Sequence, residues 1–221
     1  VGGQVVTEGN PHPETSPLWT ECRLNLNGVD VIWPARNRTI TVVNGTGGSY
    51  ANLKFFVRRN SGCGYDQLVD AGARVGYAGI ADGVTRMQGS GTTPAGTYTL
   101  SEAYGSGPNP GSGLPWRTYH STDRWVMDSA SAYYNTFRNP SQGGFSTVDN
   151  EPLADSPVEF EYFIPVNFNR APDFVRRDRG AGIFLHVHGP GATTGCISLT
   201  RGEILTVLRN VRTWDTVTIA P

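Results

Sequence analysis

The chain predicts a mainly β fold, and three features carry that prediction. Short apolar runs recur between turn residues, as in VDVIW (29–33), TITVV (39–43) and LKFFVRR (53–59). Glycine and proline number 28 and 15 among 221 residues, enough for many tight turns yet short of a disordered composition. Aromatic residues make up 10%, which supplies rings for an ordered core.

Taken in order, residues 1–17 carry Pro11, Pro13 and Pro17 among polar residues and read as an extended arm. This leaves 18–221 as a single domain. Asn44-Gly45 and Gly47-Gly48 supply the positive-φ positions that hairpins demand between the early strands. A weaker strand is expected over 74–80, where Gly76 and Gly79 interrupt it. The turn in GSGTTPAGTYTL (89–100) feeds a strand from Thr97, and Gly105 to Pro115 reads as a surface loop. Asp128 to Phe137 is expected to be a short helix, capped by Asp128 or Ser129 and stopped ahead of Pro140. A second irregular stretch follows, and VEFEYFIPV (158–166) then alternates like a half-buried strand. Gly182 to Val187 reads as a buried strand. Thr200-x-x-Glu203 is a capping box, and Ile204, Leu205, Leu208 and Val211 keep helical spacing behind it. A strand from Asp215 to Ala220 closes a domain of strands, long loops and two short helices.

A net charge of −1 with 17% charged residues leaves no electrostatic footprint for nucleic acid or an anionic membrane. No apolar run approaches the roughly 18 residues of a membrane-spanning helix. Three cysteines suggest one disulfide and one free thiol in an exported protein, and Cys22 with Cys63 is the expected pair. Few lysines and many Thr, Ser, Asn and Gly residues lean the same way, toward a secreted or wall-associated protein.

The free thiol, Cys196, stands in IFLHVHGPGATTGCISL (183–199), and this stretch carries the chemistry. A thiol with its ordinary pKa near 8.5 needs a base or a positive neighbourhood to become a nucleophile. His186 and His188 leave one face of the same strand just before the turn, so either ring is placed to serve. Gly195 keeps the backbone beside the sulfur open, and the N–H groups of Gly195 and Cys196 are candidate oxyanion donors.

TTGCISL resembles the [S/T]-x-G-C-(I/V) signature of YkuD-type L,D-transpeptidases, cysteine enzymes that act on peptidoglycan stem peptides. IFLHV followed by a Gly-rich turn and GC is similar to the secreted actinobacterial branch of that family. GSGTTPAGTYTL and WVMDSASAYYN (125–135) resemble two further segments, and the four lie in the family's order over roughly 85–200. The resemblance implies the family's mainly β, sandwich- or barrel-like catalytic domain. It also implies acyl transfer between stem peptides (3–3 cross-linking) through a thioester on Cys196, susceptibility of that thiol to carbapenems, and no cofactor. It assigns Cys196 as nucleophile, His186 as its base, Gly195 as the preceding glycine and Thr193 as the signature hydroxyl. His188 ranks second as base. Thr194, Ser198, Tyr134 and Asn135 are expected to contact substrate or shape the cleft. Two departures stand out: ten residues separate His186 from Cys196 where the commoner form has a longer loop, and Ser198 occupies the place of a frequent arginine. Arg201 or Arg179 is then expected to hold a substrate carboxylate.

Other readings remain at this point. The same fold could host a cysteine carboxypeptidase that only trims stems, or an idle wall-binding module. A thiol with two imidazoles also suits zinc, but His12 and His120 offer no third-ligand motif.

Overall fold

The computed structural model describes residues 19–221, so the expected arm lies outside the described residues. The chain begins with a hairpin of β1 (Cys22–Leu26) and β2 (Val29–Trp33), a small sheet by itself. It continues through β3 (Thr39–Gly47), β4 (Tyr50–Arg58), β5 (Tyr65–Arg74), β6 (Ile80–Asp82), β7 (Thr93–Thr99), β8 (Ala103–Gly105) and β9 (Trp116–Thr118). Three short strands, β10 (Arg124–Val126), β11 (Phe137–Arg138) and β12 (Asn150–Pro152), form a second small sheet. Then follow β13 (Tyr162–Pro165), β14 (Phe184–Val187), β15 (Ile197–Leu199), the helix α1 (Arg201–Asn210) and β16 (Thr216–Ala220). Eleven of these strands join one mixed sheet in the order β6-β7-β16-β3-β4-β5-β15-β14-β13-β8-β9.

Fold and sequence agree where alternation was clean. Apolar residues from β4, β5, β14, β15, β16 and α1 meet in one core, with Leu53, Phe55, Leu185, Ile197 and Leu199 fully buried. Helix α1 obeys its capping box: the Thr200 hydroxyl takes the Glu203 N–H, and the Glu203 carboxylate takes the Thr200 N–H at 2.8 Å. Its buried face of Ile204, Val207 and Leu208 packs on β5, β13 and β14. Each such side chain contributes about 1.5–3 kcal/mol relative to exposure, so this helix braces the sheet directly behind the site.

The expected second helix is absent. Residues 128–136 form turns, and the chain doubles back so that Asn135 N–H reaches the Val126 carbonyl and Val126 N–H that of Thr136. Asn135 takes φ +58°, a left-handed conformation that ends any helix, and Phe137 pairs with Trp125 in the small sheet. The Asp128 carboxylate accepts from Ala130 and Ser146 N–H instead of capping a helix. The strand expected over 158–166 is likewise shorter, because Phe160 N–H turns back to the Ser156 carbonyl and its ring drops into an aromatic layer.

Cys22 and Cys63 are joined, as their count and position suggested. The bond ties the first hairpin to the turn after β4. Arg58 lies beneath, its guanidinium 4.8 Å from the Trp33 ring centre and bonded to the carbonyls of Trp33, Pro34 and Gly62.

Candidate active site

Parallel pairing of β14 with β15 sets Leu185 opposite Ile197, His186 opposite Ser198 and Val187 opposite Leu199. Strand alternation then divides these residues between two faces. Leu185, Val187, Ile197 and Leu199 enter the main core against α1. Phe184 and Cys196 join an aromatic layer with Trp125, Phe160 and Phe163, and the His186 ring meets Phe160 edge-on at 5.7 Å. One turn of chain thus returns the thiol to the face from which His186 projects. Both residues line a cavity of about 660 Å³.

Cys196 is the one free cysteine. Its Sγ accepts from Phe184 N–H at 3.3 Å and donates to the Gly182 carbonyl at 3.2 Å. Burial pushes the thiol up to about 12; the Phe184 N–H pulls it back, while the charge of Glu151 adds to the rise. The resting group is therefore a neutral thiol that donates its hydrogen to a backbone carbonyl.

His186 is buried, and its Nδ1 lies 2.7 Å from the Val187 carbonyl. A carbonyl only accepts, so Nδ1 carries the hydrogen and Nε2 keeps its lone pair. Burial depresses the imidazole below its ordinary value, partly offset by the Val187 bond and by Glu159. A neutral base lining the same cavity as a neutral thiol is the pairing that general-base activation needs.

The turn preceding the thiol is tightly built. Thr193 Oγ1 donates to the Cys196 carbonyl at 2.6 Å and accepts from Gly195 N–H at 3.1 Å. Thr93 Oγ1 holds the Gly195 carbonyl at 2.8 Å, fastening the TPAG segment to the GC segment. Gly195 has φ +144°, and an added Cβ there would lie 3.0 Å from Ile183 Cδ1 and from the Thr92 carbonyl oxygen. Only glycine fits without a shift. With its N–H already on Thr193, Gly195 is a positioning element in this state rather than an open oxyanion donor.

The remaining sequence candidates fall in different places. Thr193 and Thr194 line the cavity. His188 does not; its Nδ1 lies 2.8 Å from Ser198 Oγ, and Ser198 is fully buried. Tyr134 and Asn135 are buried behind the wall: Tyr134 donates to Gln88 Oε1 at 2.7 Å, and Asn135 Oδ1 accepts from Trp125 Nε1 and Gly182 N–H. Arg201 is forked onto Glu161 at the surface, and Arg179 reaches the carbonyl of Arg86, so neither lines the cavity. The cavity's guanidinium is that of Arg86, which sequence reasoning passed over. It is bonded to Thr92 Oγ1, Ser90 Oγ and the Arg179 carbonyl. Its closeness to the TPAG segment was the available signal. Glu151 and Glu159 were also missed, one in an irregular stretch and one in an expected strand; both line the cavity.

The YkuD family, described as the L,D-transpeptidase catalytic domain, matches residues 64–219. The chain belongs to that family. The YkuD match takes in Cys196, His186, Arg86, Glu151 and Glu159, while β1–β4 and the disulfide precede it. Among solved structures, Bd1075 of Bdellovibrio bacteriovorus is similar at 15% identity and a TM-score of 0.43, over 82% of this chain and 47% of that one. Mycobacterium tuberculosis L,D-transpeptidase 1 is similar at 16% identity and a TM-score of 0.37, over 84% of this chain and 63% of that one. This YkuD chain thus spans less than two thirds of either protein. No curated protein matches it. Among the described residues no group of three His, Cys, Asp or Glu side chains is arranged to hold a metal ion, and no helix is long and apolar enough to cross a membrane.

Proposed function

We propose that this YkuD domain is a peptidoglycan L,D-transpeptidase, forming 3–3 cross-links through a thioester on Cys196. The observation that carries the reading is that Cys196 and His186 line one cavity, with His186 Nδ1 on the Val187 carbonyl so that Nε2 is left to accept a proton. His186 Nε2 takes the thiol proton as Sγ attacks the carbonyl between the third and fourth stem residues. The tetrahedral intermediate expels the terminal D-amino acid, whose amine receives that proton from His186. The thioester then passes its acyl group to an acceptor amine. Arg86, whose terminal nitrogens each keep an N–H beyond the bonds to Thr92, Ser90 and Arg179, is the cavity cation suited to the carboxylate of the departing residue.

The disulfide supports an extracytoplasmic location, since such bonds persist in oxidising compartments. The IFLHV-to-GC form of the motif supports the secreted actinobacterial branch. Incubating the protein with a disaccharide tetrapeptide tests the reading. Release of the terminal D-amino acid, a dimeric product and loss of both in Cys196→Ala are expected. Hydrolysis with no dimer would make it a carboxypeptidase, and binding without turnover would make it an idle module.

A further inference from the structure

Among the groups lining the cavity, Glu151 has chemistry that the first half of that reaction does not use. It sits on β12, opposite Trp125 of β10, which fixes its backbone through the small sheet. No hydrogen bond or ion pair to its carboxylate is found among the described residues. Its charge nevertheless reaches Cys196, where it raises the thiol. Two neighbouring cavity groups already have partners. Arg86 donates to Thr92, Ser90 and Arg179, and the His186 Nδ1–H is on Val187. The Glu159 carboxylate also has no hydrogen bond or ion pair among the described residues, but it packs at Gly189 and its charge acts on His186, whereas that of Glu151 acts on Cys196. Asp155 is the further acidic group that acts on Glu151, and burial raises Glu151 first, making it a better proton acceptor than a surface glutamate.

An acceptor amine enters as an ammonium and must lose two protons before an amide results. The first must go before it can attack, and the second goes as the C–N bond forms. His186 accounts for only one of them. We propose that Glu151 binds the incoming ammonium beside Cys196 and takes its first proton, making the carboxylate a catalytic residue of the acyl-acceptor half-reaction.

The step balances as follows. The ammonium gives a proton to the Glu151 carboxylate, leaving a neutral amine and a carboxylic acid. The amine nitrogen attacks the thioester carbon, and His186 Nε2 takes the second proton. Collapse of the tetrahedral intermediate breaks the C–S bond, and the departing sulfur recovers its proton from His186. Glu151 then loses its proton to solvent through the cavity mouth. The proposal rests on the transpeptidase reading, and it adds that the acceptor is a cationic amine rather than a neutral nucleophile.

The test separates the two halves. Acyl-enzyme formation from a stem tetrapeptide is followed by intact mass, and the thioester is then partitioned between glycinamide, hydroxylamine (neutral at neutral pH) and water. Glu151→Gln removes a charge that raises the Cys196 thiol, so it is expected to acylate at least as fast as wild type, while aminolysis by glycinamide falls about a hundredfold relative to hydrolysis of the same thioester. Reaction with hydroxylamine should persist. Glu151→Asp, which keeps the charge on a shorter arm, should recover part of the lost aminolysis, and it serves as the folded control if the glutamine variant is unstable. Equal loss with both nucleophiles, or no loss with either, overturns the role of Glu151 while leaving the thioester reading intact. Failure of wild type to form an acyl-enzyme removes that reading, and this proposal with it.

Discussion

The Cys196 thiol donates to the carbonyl of Gly182 across 3.2 Å. Gly182 is held in turn by Asn135, whose Oδ1 accepts the Gly182 N–H at 3.0 Å. In the proposed mechanism the nucleophile is therefore stored as a thiol on a backbone acceptor, and substrate must draw its proton toward His186.

The first consequence concerns the free protein's reactivity. With the thiol pushed up to about 12, iodoacetamide should alkylate Cys196 more slowly at mildly alkaline pH than it does an unperturbed cysteine. The rate should climb through the alkaline range. Rapid alkylation, independent of pH from neutrality upward, would show a preformed thiolate instead.

His186→Ala should slow acylation by about 10²–10⁴-fold, the usual worth of a positioned general base, whereas His188→Ala should change it by only a few fold. His188 is engaged with Ser198 and lies outside the cavity lining. Comparing acyl-enzyme formation rates for the two variants checks this, and the reverse order would exchange their roles.

The same histidine makes folding sensitive to acid. Burial holds His186 below its ordinary value of 6.5, so the folded state binds its proton less readily than the unfolded chain does. The resulting stability is present above pH 6.5 and is lost as pH falls through the depressed folded value. Melting temperature should drop on acidification below 6.5, and less steeply in His186→Gln. Parallel curves for the two proteins would refute this.

Asn135→Ala leaves Trp125 Nε1, Gly182 N–H and the carbonyls of Phe168 and Asn169 without their partner. It also places alanine at φ +58°. A loss of about 2–4 kcal/mol is expected, or roughly 5–15 °C in Tm. At a temperature where the variant stays folded, acylation of Cys196 should still be slower, because Gly182 is no longer fixed. Normal acylation at reduced Tm would confine Asn135 to a structural role.

Opening the disulfide should act on stability alone. Cys22 and Cys63 are 41 residues apart, and closing a loop of that length is worth about 4 kcal/mol by chain entropy. Cys22→Ser/Cys63→Ser should melt several degrees lower yet acylate like wild type at 25 °C. A matching loss of acylation would connect the hairpin to the cavity.

Regions with clean local signals were legible in the sequence. VDVIW became β2 over the same residues, and Thr200-x-x-Glu203 began α1. The GC and TPAG segments, far apart in sequence, meet through Thr93 and Gly195. Elements decided by tertiary pairing were not legible. Strand β5 carries Asp66, Gln67 and Asp70 outward and Ala71 and Ala73 inward, so alternation barely shows. Residues 128–137 offer cap residues at one end and Pro140 beyond the other, but pairing of Trp125 with Phe137 and the left-handed Asn135 prevail. Within the candidate site, spacing offered Cys196 with either His186 or His188, and only the family resemblance singled out His186, which lines the cavity with Cys196. Arg86, Glu151 and Glu159 reach the cavity from separate segments that no local pattern connects.

The most direct measurement is intact-protein mass spectrometry with peptide mapping after incubation with a carbapenem, a strained acyl donor that traps a nucleophilic thiol. One covalent adduct on Cys196 is predicted, absent from Cys196→Ala and formed about 10²-fold or more slowly in His186→Ala. No adduct after prolonged incubation, or one carried by any other residue, would contradict the assignment of Cys196 as the nucleophile.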